Sequence, residues 1–375
     1  MVIDRHLKAT APRRMPDSRG ACVRVDLSAI AHNAQKLRAI FPETVHLMAV
    51  VKANGYGHGL ISAAQTALDN GADYLGVALP EEGAQLRAAG IAAPCLVLGN
   101  ASAPGALIAV QNGLLQTVCD EEGIKCIQRA CETLDLRAQV HLKLDTGMSR
   151  IGARTLEEVE KVLRALENAR CVQLTGAFTH FAQAEDEQCV RRQMARFEQL
   201  TSALPAGLML HAAASEAALR YPWARLDMVR TGIALYGCTG EGFLPAMCWQ
   251  TRVAYVKDIA PGDCVSYGGD FCADRPMRIA TIAIGYGDGY LRALSGKAQV
   301  LIRGKRCPVL GRVCMDQTMV DVTHVPEAAA GDEAILMGSQ QDACITAAEL
   351  AEWAGTICYE ALLLHADRVP VITEN

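Results

Sequence analysis

Short apolar runs rich in β-branched residues recur along much of the chain: Val45–Val51, Tyr74–Leu79, Cys95–Leu98, Leu115–Cys119, Val140–Leu144, Leu174–Thr179, Leu208–His211 and Met228–Leu235. Amphipathic segments lie between them, among them Glu81–Ala89, Glu121–Leu134, Leu156–Asn168 and Glu187–Ala203, with apolar positions at helical spacing. The strand-like runs are nearly continuous rather than alternating, the pattern of parallel strands covered by helices on both faces. Eight of them over roughly 220 residues predict a (β/α)8 barrel of the TIM type. A doubly wound open sheet is the alternative.

After Ala246 the texture changes. Thr251–Ile259, Arg278–Ile284, Ala298–Ile302, Arg306–Val313, Thr318–Val322 and Glu333–Met337 read as strands joined by tight turns such as Pro261-Gly262-Asp263. Only Thr346–Ala354 has a clear helical pattern. The expected division is an N-terminal extension without order over 1–20, a barrel over 21–246 and a mostly antiparallel β-domain over 247–375. The extension carries Arg5, Lys8, Arg13, Arg14 and Arg19 but no apolar core, so it is not read as a secretory signal; Met15 is a candidate alternative start.

The 375 residues are 51% hydrophobic and 21% charged, which excludes a disordered chain. A net charge of −5 with no basic stripe disfavours nucleic acid, and no apolar run is long enough for a bilayer. The fifteen cysteines form no C-x-x-C pair. They are expected to be small core residues, such as Cys95, Cys119 and Cys264, kept reduced in a cytoplasm. No His/Cys cluster has the spacing of a metal site.

In such a barrel the chemistry gathers where strands end. The first run leads into Lys52-Ala53-Asn54-Gly55-Tyr56-Gly57-His58-Gly59, a lysine at a mouth followed by three glycines. That lysine is either a snorkelling surface residue or a Schiff-base former whose amine is kept neutral by desolvation or nearby cations. The fifth run ends in Lys143-Leu144-Asp145-Thr146-Gly147-Met148-Ser149-Arg150, which alone reads as a solvated, salt-bridged turn. The sixth ends at His180, the seventh at His211 with Ser215 as a candidate helix N-cap, and the eighth at Arg230-Thr231-Gly232-Ile233. The last two mouths are where barrels commonly hold phosphate. In the second domain, Ile284-Gly285-Tyr286-Gly287-Asp288-Gly289-Tyr290 and Gly311-Arg312-Val313-Cys314-Met315-Asp316-Gln317 read in isolation as Gly-rich turns.

Taken together, AVVKANGYGHG, KLDTGMSRIG, RTGIALYG, IGYGDGY and GRVCMDQ, in this order between about Cys22 and Pro370, resemble the alanine racemase family. The resemblance implies a pyridoxal-phosphate (PLP) enzyme, a barrel plus C-terminal β-domain, working as a head-to-tail homodimer with shared active sites. Lys52 would tether PLP and act as one acid/base, with Tyr286 of the partner subunit as the other. Tyr56, Ser215, Gly232, Ile233 and Tyr359 would bind the phosphate. Arg230 would face the pyridine nitrogen with His211 behind it, and His180 would border the cofactor and orient Tyr286. Arg150 and the Met315 N–H would take the substrate carboxylate, supported by Lys143, Cys314 and Asp316. In many members the equivalent of Lys143 is carbamylated and positions the arginine; a chloride taking that role is the alternative, and the sequence leaves the two open. Ala214 and Val371 depart from the family pattern, which often has asparagine and arginine there.

The resemblance implies interconversion of L- and D-alanine for peptidoglycan. Serine or broad-specificity racemisation, decarboxylation of basic amino acids on a related fold, and a PLP carrier remain open at this point. Two bases on opposite faces suit racemisation, which removes an α-proton from one face and returns one to the other. A barrel-only carrier would leave Tyr286 without a purpose.

Overall fold

The computed structural model describes residues 15–374, which divide into two compact units. One comprises Leu27–Ala246; the other joins the residues up to Asp26 to those from Met247 onward.

The first strand, β1 (Cys22–Asp26), corrects the expected division. It was assigned to the barrel, yet it pairs with strands of the β-unit, antiparallel to β10 (Met247–Ile259) and parallel to β19 (Val371–Glu374). Its alternating burial is that of a sheet strand with one covered face, unlike the doubly covered barrel runs. The expected disordered extension is corrected in part as well: Asp17 and Arg19 are ion-paired, while residues 1–14 lie outside the described residues.

Eight parallel strands form the barrel: β2 (His46–Val50), β3 (Tyr74–Val77), β4 (Cys95–Asn100), β5 (Leu115–Val118), β6 (Ala138–Lys143), β7 (Val172–Phe178), β8 (Met209–His211) and β9 (Met228–Thr231). Each overlaps one of the eight apolar runs. Strand β2 pairs with both β3 and β9, and an Ala214–Arg230 bridge joins the β8 and β9 ends to close the ring. Helices fill the crossovers; Leu156–Glu167, for example, starts at a Thr155–Glu158 capping box. Within each strand, alternate residues enter the barrel interior, so one face of β6 supplies both His141 and Lys143.

The β-unit adds β11 (Cys264–Val265), β12 (Phe271–Cys272), β13 (Met277–Ile282), β14 (Gln299–Ile302), β15 (Lys305–Leu310), β16 (Thr318–Asp321), β17 (Glu333–Gln340) and β18 (Ala343–Ile345). Nine strands form one sheet, antiparallel except for the β1–β19 pair. Trp249 and Tyr290, both fully buried, meet edge-to-face in its core. Cys264 is a further correction: it is exposed rather than core, and it is disulfide-bonded to Cys272, its cross-strand partner in the β11–β12 hairpin.

Candidate active site

At the barrel mouth the chain leaves β2 through a left-handed turn. Ala53, Asn54, Gly55 and Tyr56 have φ of 52°, 54°, 64° and 52°. For each of the three non-glycine residues this conformation costs roughly 1–2 kcal/mol, and such strain gathers at functional sites. The turn is held from outside itself. Glu82 accepts the Ala53 N–H at 2.6 Å as well as the N–H groups of Ala78 and Leu79, and Asn54 Oδ1 accepts the Leu60 N–H. Lys52 is thereby presented half-buried at the strand end. Burial pulls its amine below the usual lysine value and the nearby Arg150 adds to this, while Glu82 opposes both.

Below the mouth, polar side chains form a line through the barrel interior. Arg230 is buried, and its guanidinium donates to the carbonyls of Thr179 and Ala212 at 2.7 Å, to His211 Nδ1 at 2.9 Å and to His180 Nδ1 at 3.3 Å. An arginine can only donate, so both of these Nδ1 atoms are acceptors and the ring proton sits on Nε2. His211 then donates from Nε2 to His141 Nδ1 at 2.9 Å. Burial, reinforced by Arg230, pushes His141 down to about 4 and His180 to about 3, and holds His211 well below the usual histidine value, so all three rings are neutral near pH 7. Phe178 stacks on His211 and sits beneath Lys143 Nζ and the Arg230 guanidinium.

Lys143 is buried, donates to the Leu144 carbonyl at 2.7 Å and is pushed down to about 8 by burial and by Arg230. Asp145 is not the solvated turn residue expected. It is 2% exposed, and one oxygen accepts the N–H groups of Gly147, Met148 and Ser149, organising the loop that carries Arg150. Ser215 differs from expectation too: Ala214 is the cap and Ser215 the first helical residue. The Ser215 hydroxyl turns instead to accept the N–H groups of Gly232 and Ala234. A Cβ on Gly232 would fall 2.5 Å from the Tyr56 hydroxyl, so only glycine allows that approach. The barrel unit thus gathers Lys52, Tyr56, Lys143, Arg150, His180, His211, Ser215, Arg230, Gly232 and Ile233. A cavity of about 1080 Å³ lies at the other end of the strands, among Leu115, Ala138 and Val172, and has none of these groups.

In the β-unit the two Gly-rich segments are zipped together. Tyr286 N–H donates to the Cys314 carbonyl at 3.0 Å and Gly287 N–H to that of Met315 at 2.8 Å. A Cβ on Gly285 would fall 2.2 Å from the Cys314 oxygen, and one on Gly287 would fall 2.6 Å from the Arg368 guanidinium. Gly285 is therefore demanded by its close approach to backbone, whereas a side chain at Gly287 would have to displace the Arg368 guanidinium. Tyr286 and Met315 are exposed, Cys314 is half-buried with its sulfur near Ser266 Oγ, and Asp316 accepts from Arg368 at 2.8 Å. Tyr359 stands apart from them in sequence, exposed on the short helix Cys358–Ala361.

Several supporting residues escape sequence reasoning: Glu82, His141, Asp288 and Arg19. A signal existed for two. His141 shares a strand face with Lys143, and Glu82 stands three residues past the end of the Tyr74–Leu79 run, at capping-box spacing. Among the described residues no group of three or more His, Cys, Asp or Glu could hold a metal ion, and no helix is long and apolar enough to cross a membrane.

The family model "Alanine racemase, N-terminal domain" matches residues 25–240, and "Alanine racemase, C-terminal domain" matches 246–373. The alanine racemase of Desulfovibrio desulfuricans is 43% identical, covering 92% of this chain and 96% of that protein. The crystal structure of the Bacillus anthracis alanine racemase with bound L-Ala-P superposes with a TM-score of 0.90 at 37% identity, covering 96% of each chain. A histidine racemase from Leuconostoc mesenteroides subsp. sake has a TM-score of 0.85 at 28% identity, covering 96% of this chain and all of that one. Matched in both halves, in order and over nearly its whole length, the chain belongs to the alanine racemase family.

Proposed function

We propose that the protein interconverts L- and D-alanine with PLP as cofactor, Lys52 and the partner subunit's Tyr286 exchanging the α-proton on opposite faces. The observation that carries this reading is Lys52: an amine drawn toward its neutral form, presented by a strained turn beside a line of neutral histidines and a buried arginine. A neutral amine can attack a carbonyl and can accept a proton; an ammonium can do neither.

The residues at the mouth fit PLP. Ser215 accepts two N–H groups and so keeps its own proton to donate to a phosphate oxygen, beside the backbone of Gly232 and Ile233 and the Tyr56 hydroxyl; the family resemblance adds Tyr359 as a further phosphate donor. When bound, the cofactor supplies the conjugated system that takes up the electron pair left at Cα. Arg230 would donate to the pyridine nitrogen, which discourages a proton there.

The remaining steps belong to the chain itself. Lys52 Nζ takes or returns the proton on one face and Tyr286 Oη on the other. Since Arg230 occupies His180 Nδ1, the proton on Nε2 is free to orient the Tyr286 oxygen. Arg150 and the Met315 N–H hold the substrate carboxylate, with Cys314 and Asp316 shaping that edge. Lys143, near 8, is neutral often enough for its lone pair to add to carbon dioxide. The new N–C bond forms as one C=O bond becomes O⁻ and the amine proton leaves to solvent, giving an anion that steadies Arg150. Exposed Tyr286, Met315, Ile357, Tyr359 and Leu363 suit burial against a second copy, as a homodimer requires. Thirteen cysteines remain as thiols, which fits a reducing cytoplasm where D-alanine would feed peptidoglycan.

Purified protein supplied with PLP should interconvert the alanine enantiomers, and protein stripped of PLP should not. Rates on serine, lysine and histidine, the last prompted by the histidine racemase of the same fold, define the range. No alanine interconversion by the PLP-loaded protein would end the assignment.

A further inference from the structure

The turn that carries Tyr286 is built around a carboxylate with no solvent exposure. Asp288 reaches back to accept the Gly285 N–H at 3.0 Å, closing the four residues Gly285–Asp288. A buried carboxylate is tolerated only when its lone pairs are satisfied by charged partners. Here one partner comes from each end of the chain. Arg19 donates to both Asp288 oxygens, at 3.1 and 2.8 Å, and is itself held by Asp17. Arg368 Nε lies 2.7 Å from Asp288 and its Nη2 donates to Asp316, the residue after Met315. The Asp288 carbonyl accepts the Ala366 N–H at 2.8 Å.

We propose that Arg19 and Arg368 are positioning residues for Tyr286, acting through Asp288 as a clamp that draws both chain ends onto the Gly285–Asp288 turn. Within its own protomer Tyr286 is 41% exposed, so packing inside the protomer contributes little and the backbone of the turn sets where the phenol is offered to the partner. That backbone has no slack, because Gly285 and Gly287 already touch the Cys314–Met315 carbonyls and Arg368. Arg19 lies outside both family-matched segments and 267 residues before Tyr286, so neither motif nor spacing ties the two together. The functional half of this inference rests on the reading of Tyr286 as an acid/base.

The test uses the PLP-loaded enzyme and two readouts. Amide hydrogen exchange over Gly285–Gly289 should quicken about tenfold in Arg19→Ala, with barrel peptides unchanged, and recover in part in Arg19→Lys. Turnover should fall about 10- to 100-fold with little change in KM, as expected when a reacting group is misplaced by about 1 Å. The loss should fall on washout of the α-hydrogen from the same alanine enantiomer that Tyr286→Phe fails to exchange. If Arg19→Ala does not fold, Arg368→Lys asks the same question from the other chain end. Unchanged exchange at Gly285–Gly289, or an equal loss for both enantiomers, overturns the clamp. A Tyr286→Phe enzyme with full turnover overturns the acid/base reading instead, and the exchange measurement still decides whether the clamp holds the turn.

Discussion

The two units hold their candidate functional side chains by different physical means. In the barrel, Lys52, His180, His211 and Arg230 are governed by side chains facing one another in an interior poor in water, and the result is a set of shifted proton affinities. In the β-unit, Tyr286 and Met315 are exposed, and what holds them is backbone: glycines pressed against carbonyls and a turn closed by Asp288. The barrel tunes charge; the β-unit fixes position. A site drawing on both needs a group whose basicity is set and another whose place is set, as two-base chemistry does.

Substitutions at the two proposed bases break this comparison most sharply. Lys52→Ala should remove both cofactor tethering and turnover, and with them the visible absorbance band of the lysine-bound cofactor. Tyr286→Phe should retain that band while racemisation falls about 10²- to 10⁴-fold. Absorbance spectra alongside an enantiomer assay separate the two, and a Lys52→Ala protein that keeps the band would displace Lys52 from its role.

Acid should strike the barrel first. His141, His180 and His211 have folded-state affinities below the unfolded value of 6.5, so beneath that pH the unfolded chain binds protons that the native one refuses. Their stabilisation is complete above about pH 6.5 and is lost as pH falls toward 4 and then 3, at up to about 1.4 kcal/mol per pH unit for each ring. Denaturant titrations between pH 7 and 4 should show this slope. His141→Asn should flatten it, and an unaltered slope would mean that His141 is protonated in the native barrel.

The fold was legible where patterns were local. All eight barrel strands showed as apolar runs because both of their faces are covered, and the helices between them showed by periodicity. Strand β1 did not, because five alternating residues resemble any edge and their partners lie at Met247–Gln250 and Val371–Glu374. The same distance hid Arg19 and Asp288. Cys264 was misplaced because only the hairpin brings it opposite Cys272. The motif residues were legible through the resemblance, but the full left-handed turn after Lys52 was not: Asn54-Gly55 suits such backbone, whereas Ala53 and Tyr56 carry no mark of it.

The smallest expected effect bears on how separate tuning and positioning are, because Glu82 does both on the barrel side. Its carboxylate anchors the Ala53 N–H, a positioning contact like those of the β-unit, and it is also the negative charge that opposes the lowering of the Lys52 amine. Glu82→Gln keeps an oxygen able to accept the Ala53 N–H and removes the charge, while its NH2 no longer accepts the Ala78 and Leu79 N–H groups. The turn should survive, with stability changed by no more than about 1 kcal/mol for a half-buried group. The Lys52 amine should drop further, visible as a shift to lower pH in its reaction with an acylating reagent in PLP-free protein. Glu82→Ala should lose the anchor too, and the strained turn should relax toward right-handed backbone. If Gln and Ala behave alike, the charge is what matters and the hydrogen bond is incidental; if Gln behaves as wild type, Glu82 belongs with the backbone devices of the β-unit, and the division between the two units is less clean than their electrostatics imply.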